Sequence, residues 1–373
     1  MSSRPSEVVV VGAGVIGCAV GYELARRGAS VEIVDERPPA MGATQASAGV
    51  LAPYLDAQEE STFLNLTARS LDLYDALIER VTDDSGLAVP YHRTGTLDVV
   101  LLDEGMRKLR AKAALLASRG VAAELIHGDT VRREEPLLAA DVVAGLLIPT
   151  HGFVVAAELT RALGAAARHY GAQLVEGGRV VKISRTNDEL VVETTRGRLT
   201  ANAVVVAAGS WAGQIEIAGL SSRVPVRPVR GQLLQVSWTG PTLRRVTWGE
   251  RCYLVPWGDG TVLVGATIEE AGFDERATVA GVRDLLEAAC DLVPHAWKAS
   301  FLAARVGLRP GSPDDLPIVG RSGVVPNLWY ATGHYRNGVL LAPLTAQLLV
   351  DAMLEDKVDP ALDALSPRRF GQL

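Results

Sequence analysis

The first strong pattern along the chain is a run of four β-branched residues, Val8 to Val11, preceded by polar residues and followed by glycines. A continuous apolar run of this length predicts a strand buried on both faces. From Val15 to Arg27 apolar residues recur at helical spacing, Gly28 ends the helix, and Val31 to Val34 begin a second strand. Residues 7–36 therefore predict a βαβ unit. Helices are further predicted over 61–82, 104–119 and 280–292, a strand around a glycine in 91–102, a helix then a strand in 158–183, and a strand ending in a glycine turn at 198–213. Between about 223 and 305 the stretches "GQLLQVSW", "RCYLVPWG" and "GTVLVGAT" read as strands of an antiparallel sheet. The chain then returns to a turn, the strand "LWYATG", and a helix from about Gly338 to Leu354. This order predicts an α/β protein with a Rossmann-like domain and an inserted antiparallel-sheet domain.

Composition narrows the function classes. With 373 residues, 48 % hydrophobic and 21 % charged, the chain is globular and long enough for about two domains. A net charge of −6 without any Lys/Arg-rich run gives no footprint for nucleic acid or an anionic membrane. No apolar stretch reaches the roughly 20 residues of a membrane span, and "MSSRPSE" carries no leader pattern. Cys18, Cys252 and Cys290 lie far apart without metal-ligand spacing, so a reducing, cytoplasmic setting is expected. His92, His127, His151, His169 and His295 are scattered, and no metal site is expected. Ser47 and Ser210 lack the context of a nucleophile elbow, and the paired acids of "DDLP" fit a solvated turn.

The chemistry begins at Gly12, Gly14 and Gly17, a G-x-G-x-x-G between strand and helix. Its glycines allow backbone approach to a pyrophosphate, the helix N-terminus stabilises the anion, and an acid at the end of the next strand takes the ribose. Asp35 has the expected spacing, with Glu36 the competing acid one position on, and a carboxylate there argues against a 2′-phosphate. The fingerprint alone does not separate FAD from NAD. The second glycine-terminated strand, "VVVAAGSW", and the small-residue loop "GATQASAGV" are superfluous for NAD and useful for a flavin dinucleotide. Near the C-terminus "GHYRNGVLLAP" sets His334, Tyr335 and Arg336 before an apolar run, and charged groups there are costly to desolvate unless something pairs with them.

These stretches, with "YHRTGTL", "PVRGQLLQV", "CYLVPWGDGTVLVGATIEEAGFD" and "GLRPGSPDDLPIVG", resemble the FAD-dependent amino acid oxidase family that includes D-amino acid oxidase and sarcosine oxidase, and most closely its glycine oxidases of thiamine biosynthesis. The resemblance runs over nearly the whole chain. It implies a D-amino acid oxidase-like fold with FAD-binding segments 1–84, 150–222 and 305–373 and substrate-domain segments 85–149 and 223–304. It places Gly12, Gly14, Val15, Ile16 and Gly17 along the pyrophosphate of a non-covalent FAD, and Asp35 with Glu36 at the adenosine ribose. Ala43, Thr44, Ala48, Gly49 and Val50 would line the phosphates and flavin ring, and Val180 would meet the adenine. His334, Tyr335, Arg336, Asn337, Gly338, Val339 and Leu340 would wrap the flavin pyrimidine edge, where His334 and the loop backbone would stabilise negative charge.

The resemblance also implies the substrate site, with Tyr253, Arg309 and Arg336 around a carboxylate and no side chain acting as general base. The expected reaction is oxidation of a small amine, glycine above all, by hydride transfer to flavin N5, with O₂ as acceptor, giving H₂O₂ and, after imine hydrolysis, a 2-oxo acid and ammonia. Another D-amino acid, a secondary amine or a larger amino acid is the alternative, with oxidase and dehydrogenase both open. Two departures stand out: Arg251 replaces a histidine common two residues before the carboxylate-binding tyrosine, and Val155 and Ala156 replace an acid and a proline after "HG". Arg251 near the cavity would favour a larger or more acidic substrate, or else points to solvent. A homotetramer is expected by resemblance only.

Overall fold

A computed structural model describes residues 6–55, 59–187 and 189–373. The strand Ser6–Val11 lies inside a large sheet, between the parallel strands Gly197–Val206 and Val31–Asp35, with Gln173–Glu176 beyond the latter. Val8 and Val10 pack into one core with the helices, whereas Val9 and Val11 pack into another against Ile183, Val192, Leu328 and Tyr330. Burial on both faces is what the unbroken β-branched run predicts. Leu328–Thr332 extends the sheet parallel to Val204–Val206, and the meander Val180–Thr186, Glu189–Thr194, Gly197–Val206 is antiparallel.

Helices Val15–Arg26, Ala156–His169 and Gly338–Leu354 cover one face of this sheet. The predicted helix over 61–82 is two helices, Thr62–Asp72 and Tyr74–Ser85, the first capped by Ser61 and the second ended by Gly86 with φ +68°. Their junction docks on Gly338–Leu354 where that helix contains Pro343. Proline has no N–H to give the carbonyl four residues earlier, that of Val339. The buried Tyr74 hydroxyl donates to that carbonyl instead. Ser70 Oγ donates to the Leu340 carbonyl at 2.6 Å and accepts from the Leu344 N–H at 3.4 Å.

The second sheet runs in the order Ser300–Gly311, Arg227–Ser237, Thr261–Gly265, Tyr253–Pro256, Val246–Trp248, Thr96–Val100, Ala144–Ile148, Glu124–His127. The expected antiparallel sheet is mixed: Val246–Trp248 and Thr96–Val100 pair in parallel. These two come from distant parts of the chain, so no hairpin sets their direction. Ser300–Gly311 runs unbroken across the 304/305 division, paired with Arg227–Ser237. One face of the sheet packs on helix Val279–Leu292, capped by Thr278, and on the other Leu233, Val255 and Leu263 pack with Ala48 and Phe153.

Tyr74→Phe should remove the hydroxyl that partners the carbonyl freed by Pro343. Urea unfolding should show a loss of about 1–3 kcal/mol, the cost of a buried acceptor left unsatisfied.

Candidate active site

At the end of the first strand Gly12 has φ +110°, and a Cβ there would sit 2.5 Å from the Ala207 carbonyl. A Cβ on Gly17 would sit 1.8 Å from the carbonyl of Gly12, so Gly17 lets the helix start directly against the turn. The Asp35 carboxylate accepts from the N–H of Ala13 (2.7 Å) and of Arg37 (2.8 Å), which ties the turn to the end of the second strand. Burial pushes this carboxyl up and the two N–H groups oppose that shift. Thr44 Oγ1 accepts from the N–H of Val15 at 3.2 Å, supplying from the small-residue loop the cap that Gly14 lacks. Gly49, at φ +70°, passes so close to Val154 that any side chain would meet its carbonyl.

Between the two sheets these elements enclose a cavity of about 520 Å³. It runs from Asp35, Glu36 and Val180 past the glycine turn and the 43–50 loop to the 334–340 loop and the second sheet, where it meets Tyr253 and Arg309. Every residue expected to touch cofactor or substrate lines it except Gly17 and Arg251. Gly17 packs helix against turn instead of facing a ligand. Arg251 corrects the expectation of a cation near the cavity: its side chain is half exposed and pairs with Asp291 at 2.8 Å on the outer helix Val279–Leu292.

At the second-sheet end, the Arg309 guanidinium lies over Gly231, where a Cβ would come within 2.3 Å of it. It donates to the carbonyls of Thr267 (3.0 Å) and Arg230 (3.4 Å) and forms no ion pair among the described residues. Burial pulls its pKa below the arginine norm, yet a guanidinium remains a cation at neutral pH. The Tyr253 ring occupies the space left by Gly265, and burial pushes its phenol up against the opposing pull of Arg309 and Arg336, so the hydroxyl stays protonated. Trp248, its cross-strand neighbour, stacks on it at 4.5 Å and 15°. Sequence reading missed Trp248, although a hairpin drawn through "TWGERCYL" sets it opposite Tyr253.

The 334–340 loop differs from expectation in its charges. His334 is buried, shares a hydrogen bond with Thr345 Oγ1 at 3.0 Å, and burial pulls its pKa down to about 3. It is neutral, so it offers the cavity its backbone and not an imidazolium. Arg336 is exposed, and the cost of burying it does not arise. Tyr335 adopts φ +46° and its N–H binds the Pro310 carbonyl at 2.9 Å, fastening the loop beside Arg309. Helix Gly338–Leu354 then starts at the cavity wall, its N-terminus favouring an anion.

The glycine turn without side chains, the helix N-terminus beside it and the adjacent acid fit the pyrophosphate and ribose of FAD, and the volume suits a bound small molecule. Cys18, Cys252 and Cys290 do not line the cavity. The model of the FAD dependent oxidoreductase family matches residues 7–352. The chain belongs to that family. FAD is the cofactor of this oxidoreductase. It is 34 % identical over 360 residues to a glycine oxidase of Geobacillus kaustophilus, covering 96 % of this chain and 94 % of that one. The crystal structure of glycine oxidase from Geobacillus kaustophilus superposes with a TM-score of 0.93 at 33 % identity, over 98 % of this chain and 99 % of the other. A bifunctional ThiO/ThiG protein of Trichormus variabilis is 35 % identical over 370 residues, 98 % of this chain. The oxidoreductase spans about half of that relative, 55 % of its length. Among the described residues no helix is long and apolar enough to cross a membrane, and no cluster of His, Cys, Asp or Glu could hold a metal.

Two outcomes test the site. Gly14 has ordinary φ, and a Cβ there would find only Thr44 Oγ1, at 3.6 Å, so Gly14→Ala should fold normally and weaken FAD about tenfold or more in a fluorescence titration. His334 binds a proton far more readily when unfolded, near the usual 6.5, than when folded, so its contribution to stability is present above pH 6.5 and lost as pH falls toward 3. Between pH 4 and 6, His334→Gln should flatten the fall of unfolding free energy by about 1.4 kcal/mol per pH unit, one proton's worth.

Proposed function

We propose that the oxidoreductase oxidises a small amino acid, glycine first among them, to its imine with O₂ as acceptor, releasing H₂O₂ and, after hydrolysis, a 2-oxo acid and ammonia. The observation that carries this reading is the meeting of a protonated tyrosine and a partly desolvated arginine, free of carboxylate partners among the described residues, beside the loop that borders the cofactor cavity. A planar guanidinium and a phenol are suited to a carboxylate, the first by paired N–H donors and the second by one O–H. FAD, when bound, supplies the acceptor for the hydride and the route of its electrons to O₂.

The rest is positioning by the chain. Arg309 and Tyr253 would anchor the carboxylate and so fix where Cα lies, while Arg336 at the rim adds positive potential. The stacked Trp248 and Tyr253 rings and Ile268 line the substrate end of the cavity, so what a substrate meets there besides Arg309 is largely apolar. The cavity holds Asp35 and Glu36 at its ribose end and a neutral His334, but, among the described residues, no carboxylate beside Tyr253. The amine would therefore enter uncharged, without a protein base. With Arg251 on the outer surface, the feature that favoured a larger or more acidic substrate is no longer near the site. In this reading residues 1–84, 150–222 and 305–373 serve FAD, and 85–149 and 223–304 serve the substrate, with Arg309 on the strand that joins them.

The test is peroxide formation across glycine, sarcosine, D-alanine and larger amino acids. Glycine should give the highest kcat/KM; peroxide from none of them, with turnover only through an artificial acceptor, would falsify the oxidase reading. Arg309→Ala should lower kcat/KM for glycine about 100-fold, chiefly through KM, and Arg251→Ala should leave it unchanged.

A further inference from the structure

The stretch "GATIEEAGFDE", Gly265 to Glu275, leaves the second sheet beside Tyr253 and reaches the nucleotide side of the cavity. It is fastened at two places. Nearer the second sheet, Glu269 accepts from Arg230 (2.6 Å), Gln232 (2.7 Å) and the Thr267 hydroxyl (2.5 Å), and Asp274 pairs with Arg230 at 3.1 Å. On the large-sheet side, Glu275 takes both terminal nitrogens of Arg37, at 3.0 and 2.7 Å. Arg37 lies 4.9 Å above the Trp211 ring, and Phe273 meets the same ring at 5.9 Å. Arg37 and Trp211 line the cavity, whereas Phe273 and Glu275 do not.

We infer that residues 266–278 form a clasp between the two sheets, and that Glu275 and Phe273 are positioning residues for cofactor retention, holding Arg37 and Trp211 as a closed wall along the bound dinucleotide. A single half-exposed ion pair contributes little by itself. Here the two-pronged contact fixes the plane of the guanidinium, and stacking on indole fixes its height, so the pair immobilises a stretch of wall. FAD bound in the cavity would lie along this wall. The clasp therefore acts on the release rate more than on the fold, whichever amine is oxidised.

FAD release from the holoenzyme, followed by the rise in free-flavin fluorescence after dilution, reads this directly. Glu275→Gln, at a residue that does not itself line the cavity, should release FAD roughly three- to tenfold faster, with Glu275→Asp closer to the parent. Release from the parent should quicken as salt is raised, because the Arg37–Glu275 pair is partly exposed, and the Gln variant should lose that dependence. A folded Glu275→Gln protein that releases FAD at the parental rate at low salt overturns the inference, as does the same salt acceleration in both proteins. Should Glu275→Gln fail to fold, Phe273→Ala decides by the same rate, faster release supporting the clasp and an unchanged rate refuting it.

Discussion

The structure depends on one close approach. In the proposed reading a pyrophosphate would be held at the glycine turn by backbone amides, and that requires a strand end, a turn and a helix start at one point with no side chain among them. Gly12 and Gly17 satisfy the steric half of that condition, and Asp35 and Thr44, arriving from two other segments, fix the shape of the turn by accepting from the N–H groups of Ala13 and Val15. The strand that delivers the turn must then be central, and a central strand in a parallel sheet needs covering on both faces. The two valine faces, and the two cores they enter, follow from that requirement.

The substrate end rests on the opposite device, space left empty on purpose. Gly231 and Gly265 stand on neighbouring strands, and each clears the volume that a cavity side chain fills, the guanidinium of Arg309 in one case and the ring of Tyr253 in the other. Two rigid strands therefore set the spacing between a cation and a phenol more tightly than loops could. Both groups are shifted by burial, and neither is neutralised by a carboxylate among the described residues.

Much of this was legible in the sequence where it depends on local pattern. The βαβ unit, the acid after the second strand and the small-residue loop declare themselves by period, spacing and residue size. What depends on distant segments was not legible. Arg251 is two residues from Tyr253 but lies in the turn before the strand Tyr253–Pro256, and there Asp291 of the outer helix holds it. His334 sits in a motif that suggests a cation, but the depth of its burial is set by Thr345 and the helix behind it, and only packing reveals that it is neutral. Trp248 was recoverable from hairpin register. The Arg37–Glu275 contact, joining residues more than two hundred positions apart, was not.

Pro343 has a consequence for how this sequence can vary. Its missing N–H releases the Val339 carbonyl and Tyr74 answers it, with Ser70 bridging the next turn. An ordinary residue at 343 would restore the helix's own donor and leave the Tyr74 hydroxyl competing for an acceptor in a dry core. A proline kept without that hydroxyl would leave the carbonyl orphaned. Neither residue can change alone without cost, so helix Tyr74–Ser85 and the wall at Gly338 to Leu340 are bound into one heritable unit, and the shape of that wall is encoded in part more than 260 residues upstream of it.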